Sequence, residues 1–239
     1  KSASITREYR EVNTYGTLNL ARQAAASGVK RFIYVSSVKV NGEKTRCGES
    51  ISTDWEPNPI DLYGVSKYES DKLLIEVSNE TGMELVIVRP PLVYGPGVKG
   101  NFLSLLRWLD RGMPLPLGSI HNQRSLVGID NLVDLIITCL DHPAAANQTF
   151  LVSDDEDLST TELLQRLGKI LNKPARLIPI PPVVLEWGAS FFGKKEIAQR
   201  LLGNLQVDIS KTKRLLDWSP LVSVDEGLKN TMEWYMRQR

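Results

Sequence analysis

A tyrosine holds its proton to about pH 10, so it serves as an acid or base near neutrality only when a cation stands close by. A lysine one helical turn away supplies such a cation. The sequence holds two Tyr-x-x-x-Lys pairs in one stretch, Tyr63/Lys67 and Tyr68/Lys72. The spacing alone carries little weight, but direction separates the pairs. With ~100° of turn per residue, Tyr63, Lys67, Ser70, Leu74 and Val77 share a face of small or apolar side chains, whereas Tyr68, Lys72, Glu76 and Asn79 share a polar one. Tyr63/Lys67 is therefore the pair expected in a site. Ser36 and Ser37, which close the preceding apolar run, are the candidate hydroxyl partners; taken alone, a serine pair at a strand end is more often structural.

These residues need elements to hold them. Asn13 to Ser27 reads as a helix stopped by Gly28, and Arg31 to Ser37 as a strand buried on both faces of a parallel sheet. A proline-rich loop, EPNPIDLYG, leads into a helix from about Tyr63 to Asn79, closed by Gly82. The strand Leu85 to Arg89 follows and stops at Pro90 and Pro91. Helix, strand, helix, strand in this order predicts an α/β fold, a partial Rossmann-like doubly wound parallel sheet with right-handed crossovers. The serines would lie at the C-terminal edge of that sheet, where open α/β folds bind ligands. After Gly97 the elements shorten and alternate with Pro and Gly, so residues 1–97 form one unit. Residues 98–239 form mainly a smaller C-terminal α/β lobe, with some segments returning to the sheet. Capping boxes are expected at Ser159/Glu162 and Ser223/Glu226.

The 29 basic and 28 acidic residues nearly cancel, so no global field favours nucleic acid or an anionic membrane. Cys47, Cys139, His121 and His142 show no metal-ligand spacing, and the DDED run at Asp154 to Asp157 reads as a solvated loop. The apolar stretch from Val183 to Phe192 is short, carries Glu186 and follows three prolines, which argues against a membrane span. A cytoplasmic protein without nucleic-acid or membrane partners is expected. A dinucleotide-binding sheet should begin with a Gly-rich turn that admits a pyrophosphate, and the sequence shows none. The expectation is a fragment, or a chain whose N-terminal region precedes this sequence, with the Arg31–Ser37 strand left as an edge. The residue that selects NAD over NADP cannot be read for the same reason.

At these positions the chain resembles the extended short-chain dehydrogenases/reductases, in their nucleotide-sugar epimerase/dehydratase branch. The segments that carry the likeness are EVNTYGTLNL, VSSVKVNG, YGVSK, RPPLVYGPG and DISKTKRLLDWSP, which together span the chain. The resemblance implies that Tyr63 is the acid/base on a sugar hydroxyl, that Lys67 lowers its pKa and holds the nicotinamide ribose, and that Ser37 bonds the reacting oxygen. It sets Asn13, Ser36, Pro90 and Pro91 with Tyr63 and Lys67 beside NAD, NADP being the other cofactor it admits. Asn101, Arg124 and Arg200, with Ser37, would bind a UDP-sugar, a forked guanidinium suiting two phosphate oxygens. The implied reaction is epimerisation at C4 of a UDP-hexose or UDP-N-acetylhexosamine by transient hydride transfer. Reduction of a 4-keto-6-deoxy sugar by NAD(P)H, or a non-catalytic fragment, is the alternative. Dehydration is disfavoured, because Ser37, Val38 and Lys39 stand where dehydratases place Thr-Asp-Glu. Asn41 replaces the tyrosine of the family's VYG, and Leu92 an asparagine found in many epimerases, so the sugar is left open. A homodimer through the Tyr-x-x-x-Lys helix is also implied.

Overall fold

The computed structural model describes residues 7–193 and 195–238. Two three-stranded sheets organise it. In the first, β1 (Arg31–Val35), β2 (Glu84–Arg89) and β5 (Gln148–Leu151) run parallel in the order β1-β2-β5. In the second, β3 (Leu92–Tyr94) pairs parallel with β4 (Arg124–Gly128), and β4 antiparallel with the short β6 (Asp157–Leu158). The parallel α/β expectation is met. Strand β5, from the second half of the chain, lies in the first sheet beside β2.

Side-chain alternation along β2 builds two cores from one strand. Leu85 and Ile87 face α1 (Thr17–Ala26) and α2 (Leu62–Thr81), meeting Ala21, Leu74 and Val77. Val86 and Val88 face the other way, into a core shared with α4 (Ile129–Asp141) and with Trp218, which follows α8 (Ser210–Leu216). Helices thus cover both faces of the sheet. Pro90 and Pro91 end β2, and the chain turns into β3, where Tyr94 enters a third core with α3 (Gly100–Asp110), α5 (Thr160–Ile170) and α9 (Val224–Arg237).

Four expectations are corrected locally. The first helix does not run uniformly: a π-helical stretch, Arg10–Gly16, precedes α1. Strand β1 is only half buried, with Val35 38% exposed, because it lies at the edge of its sheet among the described residues. The capping box forms in full at Ser159/Glu162. At Ser223 the hydroxyl accepts from the Glu226 N–H, and the Ser223 N–H makes no return bond to the Glu226 carboxylate.

The fourth correction concerns the acidic run. Asp154 is buried at 7% exposure, and its carboxylate accepts from the Tyr94 hydroxyl (2.7 Å), the Gly128 N–H (2.8 Å) and the Asn131 amide (2.7 Å). Asp157 accepts from Ser125 Oγ and Gln206 Nε2. Two of the four acids therefore hold β4, α4 and the segment before β6 together, and among the described residues no acidic cluster could hold a metal. Burial pushes the Asp154 carboxyl up, while its donors favour the charged form. Replacing Asp154 by Ala strands three buried donors. A loss of about 3 kcal/mol or more is expected in urea unfolding, with Asp154→Asn costing less because one acceptor survives.

Candidate active site

Two backbone anchors fix the end of β1. The Ser36 N–H donates to Val88 O (2.7 Å) and the Val38 N–H to Pro90 O (3.0 Å), which ties the strand end to the double proline of β2. Ser37 then caps a short 3-10 turn, Val38–Val40, its Oγ accepting from the Lys39 N–H at 3.2 Å. Asn41 closes the turn from below. It is 2% exposed, donates to Trp55 O (2.8 Å) and accepts from Arg89 Nη1 (3.0 Å). The residue that departs from the family pattern is thus a buried structural group and does not reach the substrate side. Arg89 also donates through Nε (3.1 Å) and Nη2 (2.8 Å) to Asp71 of α2.

Helix α2 starts at an Asp61 cap, whose carboxylate accepts from the Gly64 N–H at 2.7 Å. Lys39 bonds Asp61 and, at 3.0 Å, Glu43, so the serine-bearing loop and the helix start share one cation. A Cβ on Gly64 would lie 2.9 Å from Lys39 O, so glycine is what lets the two segments touch. This cluster was missed in the sequence, because Lys39, Glu43 and Asp61 show no motif. Only the chain's approach to the helix start could have pointed to it.

Tyr63 and Lys67 stand one turn apart on α2, as expected, but they do not pair directly. The Lys67 ammonium donates to Tyr34 OH (3.1 Å) and Val35 O (2.8 Å) and lies 5.9 Å from the Tyr63 ring centroid. Burial, with help from Asp61, pushes the Tyr63 phenol up, and burial pulls the Lys67 ammonium down against the opposing charge of Asp71. The expectation that Lys67 lowers the Tyr63 pKa is therefore not met in the protein alone. Tyr9 packs edge-on to Tyr63, centroids 6.2 Å apart. Tyr68 lies beside Lys72 on the other face, as the periodicity predicts.

A cavity of about 410 Å³ opens between the two sheets. Ser37, Tyr63 and Pro91 line one end, Asn101, Arg124 and Arg200 another part, and Lys39 and Glu43 its charged side. Arg124 is fixed by donating to Gly203 O (2.9 Å), and burial with the neighbouring Arg200 brings its pKa down to about 10. Residues 76 positions apart thus form one cationic spot suited to a diphosphate. Four expected residues lie outside the lining of the cavity, Lys67 among them. Ser36 Oγ is enclosed, with no hydrogen-bond partner among the described residues. Pro90 is buried behind Pro91 and accepts from Val38. Asn13 is clamped to α2, its amide donating to Ser66 Oγ (3.1 Å) and its carbonyl accepting from Ser70 Oγ (2.7 Å).

The donor set at Tyr63 fits a nicotinamide ribose. An ammonium has three N–H bonds, and Lys67 commits two of them to Tyr34 and Val35, leaving one for a hydroxyl beside the Tyr63 phenol.

The described chain matches known proteins. The family described as "NAD dependent epimerase/dehydratase family" matches residues 1–153. A UDP-glucose 4-epimerase of Vibrio cholerae is 52% identical over 238 residues, which cover 99% of this chain and 73% of that protein. An N-acetyl-alpha-D-glucosaminyl-diphospho-ditrans,octacis-undecaprenol 4-epimerase of Escherichia coli O157:H7 is 32% identical over 183 residues, covering 74% of this chain and 54% of that one. The crystal structure of a Bacillus cereus UDP-glucuronic acid 4-epimerase in complex with NAD superposes with a TM-score of 0.80 at 22% identity, covering 98% of this chain and 70% of that one. The last likeness is one of fold.

The Asp61 cap yields a test of its own. Burial alone would raise its carboxyl, but the bonds from Lys39 and Gly64 outweigh burial and hold it below the usual carboxylate range. A lowered pKa contributes stability above the unfolded value and loses it as pH falls through the folded one. Asp61→Ala should cost about 1 kcal/mol at neutral pH. In urea unfolding followed across pH, the gap between variant and parent should close below about pH 4.

Proposed function

The chain belongs to the NAD dependent epimerase/dehydratase family, and on that premise we propose that it inverts C4 of a UDP-hexose or UDP-N-acetylhexosamine. The observation that carries the reading is the single cavity that joins Ser37 and Tyr63 to Arg124 and Arg200. A sugar held with its diphosphate at the two arginines presents its ring to the hydroxyl pair. We assign the β1-β2-β5 sheet with α1 and α2 to the cofactor, and the second sheet with α3, α5 and α9 to the nucleotide. Lys67 supports the first assignment and Arg124 the second.

Bound NAD would supply the hydride acceptor and return the hydride within one cycle. Tyr63 takes the proton from the 4-hydroxyl as C4 is oxidised and gives it back after the keto sugar has turned over. Ser37 holds the same oxygen, its own hydroxyl already oriented by the Lys39 N–H. Lys67 binds the ribose and adds positive charge near the phenol. Arg124 and Arg200 anchor the diphosphate, so the sugar rotates about a fixed end. Asn101, at the first turn of α3, reaches the same anchored part. Exposed Val12, Tyr15 and Leu20, with Ile75 of α2, support pairing of two copies along this helical face.

Tyr63→Phe should abolish C4 inversion of UDP-glucose and UDP-N-acetylglucosamine, with UDP-sugar binding largely kept, while Tyr68→Phe should change little. Product stereochemistry and NADH absorbance are followed together. Inversion without net NADH change supports the epimerase, and stoichiometric NADH consumption on a 4-keto sugar would make the protein a reductase instead. A phenol whose pKa is raised is ionised less at neutral pH, so the rate should climb with pH. Asp61→Asn removes a charge that raises Tyr63, and should move that climb to lower pH.

A further inference from the structure

The cavity carries charges beside its hydroxyl pair that C4 inversion does not use. Lys39 and Glu43 line it together with Ser37 and Tyr63, their side chains 25% and 14% exposed. The Lys39 N–H bonds Ser37 Oγ, and Asp61 caps the helix turn that bears Tyr63, so the cluster brackets both hydroxyls. The Lys39 ammonium donates to Glu43 Oε1 at 3.0 Å and to Asp61 Oδ2. With all three ionised, two carboxylates share one cation and one negative charge is left over. A third N–H of Lys39 remains for a ligand, but its charge is already more than matched. Glu43 also lies near enough to Arg124 to work against the fall in the arginine's pKa that burial and Arg200 cause, so its charge is felt within the cavity.

The other cations of the cavity stand elsewhere along it. Arg124 is on β4 and Arg200 on α7 (Lys195–Leu202). Helix α7 follows α6 (Pro182–Phe191), the helix, not long and apolar enough to cross a membrane, that the apolar stretch of the sequence forms. Lys99 precedes α3 and stands two positions before Asn101. A diphosphate draws on these three, and none is left to face a further anion at the hydroxyl pair.

We infer that Glu43, held against Lys39, is a specificity residue that admits an uncharged sugar and turns away a hexuronate. The inference rests on the C4 reading above and adds which sugars the site refuses and why. A hydroxyl or amide N–H of a neutral sugar donates to the Glu43 carboxylate in a charge-assisted bond. The carboxylate of a uronate meets a like charge instead. At roughly 6 Å and an effective dielectric of ~20, that repulsion weakens binding about a hundredfold.

The test gives the protein with NAD two substrates, UDP-glucose and UDP-glucuronate. It reads kcat and KM for C4 inversion from product stereochemistry, and both dissociation constants from calorimetry. The parent should favour UDP-glucose about a hundredfold, the difference lying in KM and in binding. Glu43→Gln keeps the size of the side chain and one acceptor but removes the charge. It should narrow the preference about tenfold or more, lowering KM for UDP-glucuronate and raising it for UDP-glucose. Lys39→Gln leaves both carboxylates unmatched and should widen the preference. Should one variant fail to fold, the other variant and the parent's own preference still carry the test. A merely structural role would change both substrates alike. That result, or equal use of the two sugars by the parent, overturns the inference and leaves the C4 reading standing. Inversion of neither sugar overturns the C4 reading, and the dissociation constants then decide: a wide gap that Glu43→Gln narrows keeps Glu43 as the selector, and equal values overturn that as well.

Discussion

The buried pair between Arg89 and Asp71 is the constraint on which the rest of the site depends. Arg89 is the last residue of β2 and Asp71 lies in the third turn of α2, each almost wholly removed from water. Two charges at that depth are tolerable only as partners, and losing either one would cost about 3–5 kcal/mol. The guanidinium also donates to Asn41, which in turn donates to Trp55 O. One cation therefore fixes the helix that carries Tyr63, the sheet beneath it and the loop that presents Ser37. The apolar faces of α2 and β2 could pack in neighbouring registers, but the ion pair permits one.

Around that pair the two sheets divide the work. The first provides a rigid floor, with Val86 and Val88 buried completely, and ends abruptly at the double proline. The second begins two residues later and is held to the return of the chain by Asp154, so the gap between the sheets is set by short connections. The cavity occupies that gap. Its two arginines come from β4 and α7, far apart in sequence, and Arg124 is held by Gly203 O immediately beyond α7.

The sequence made legible whatever depends on near neighbours. The face of α2, the stop at Gly82 and the Ser159 capping box are set by residues within a turn or two, and they are found where the periodicity puts them. Contacts closed over long loops were not legible. Asp154 reads as one more acid in a solvated run because its partners Tyr94, Gly128 and Asn131 lie 23 to 60 positions earlier. The Lys39, Glu43 and Asp61 cluster stayed hidden for a similar reason. Family likeness brought Arg124, Asn101 and Arg200 to one cavity, but it also pointed to Ser36 and Asn13, whose side chains the packing turns inward or commits to α2. The half-exposed face of β1 departs from the burial that its continuous apolar run suggested, while its place at the edge of the sheet among the described residues is the one expected.

The contact between Gly64 and the Lys39 carbonyl has a further consequence. Because backbone meets backbone there, the separation between the phenol and the serine hydroxyl is set by two rigid main-chain segments, with no flexible side chain between them. Orientational entropy is then lost during folding and need not be lost again at each turnover, which is the origin of high effective molarity in a preorganised site. A site of this kind discriminates by fit at the reacting carbon and tolerates variety at the distant end of its ligand. Related chains could exchange one group beyond the diphosphate for another while the hydroxyl pair stays unchanged.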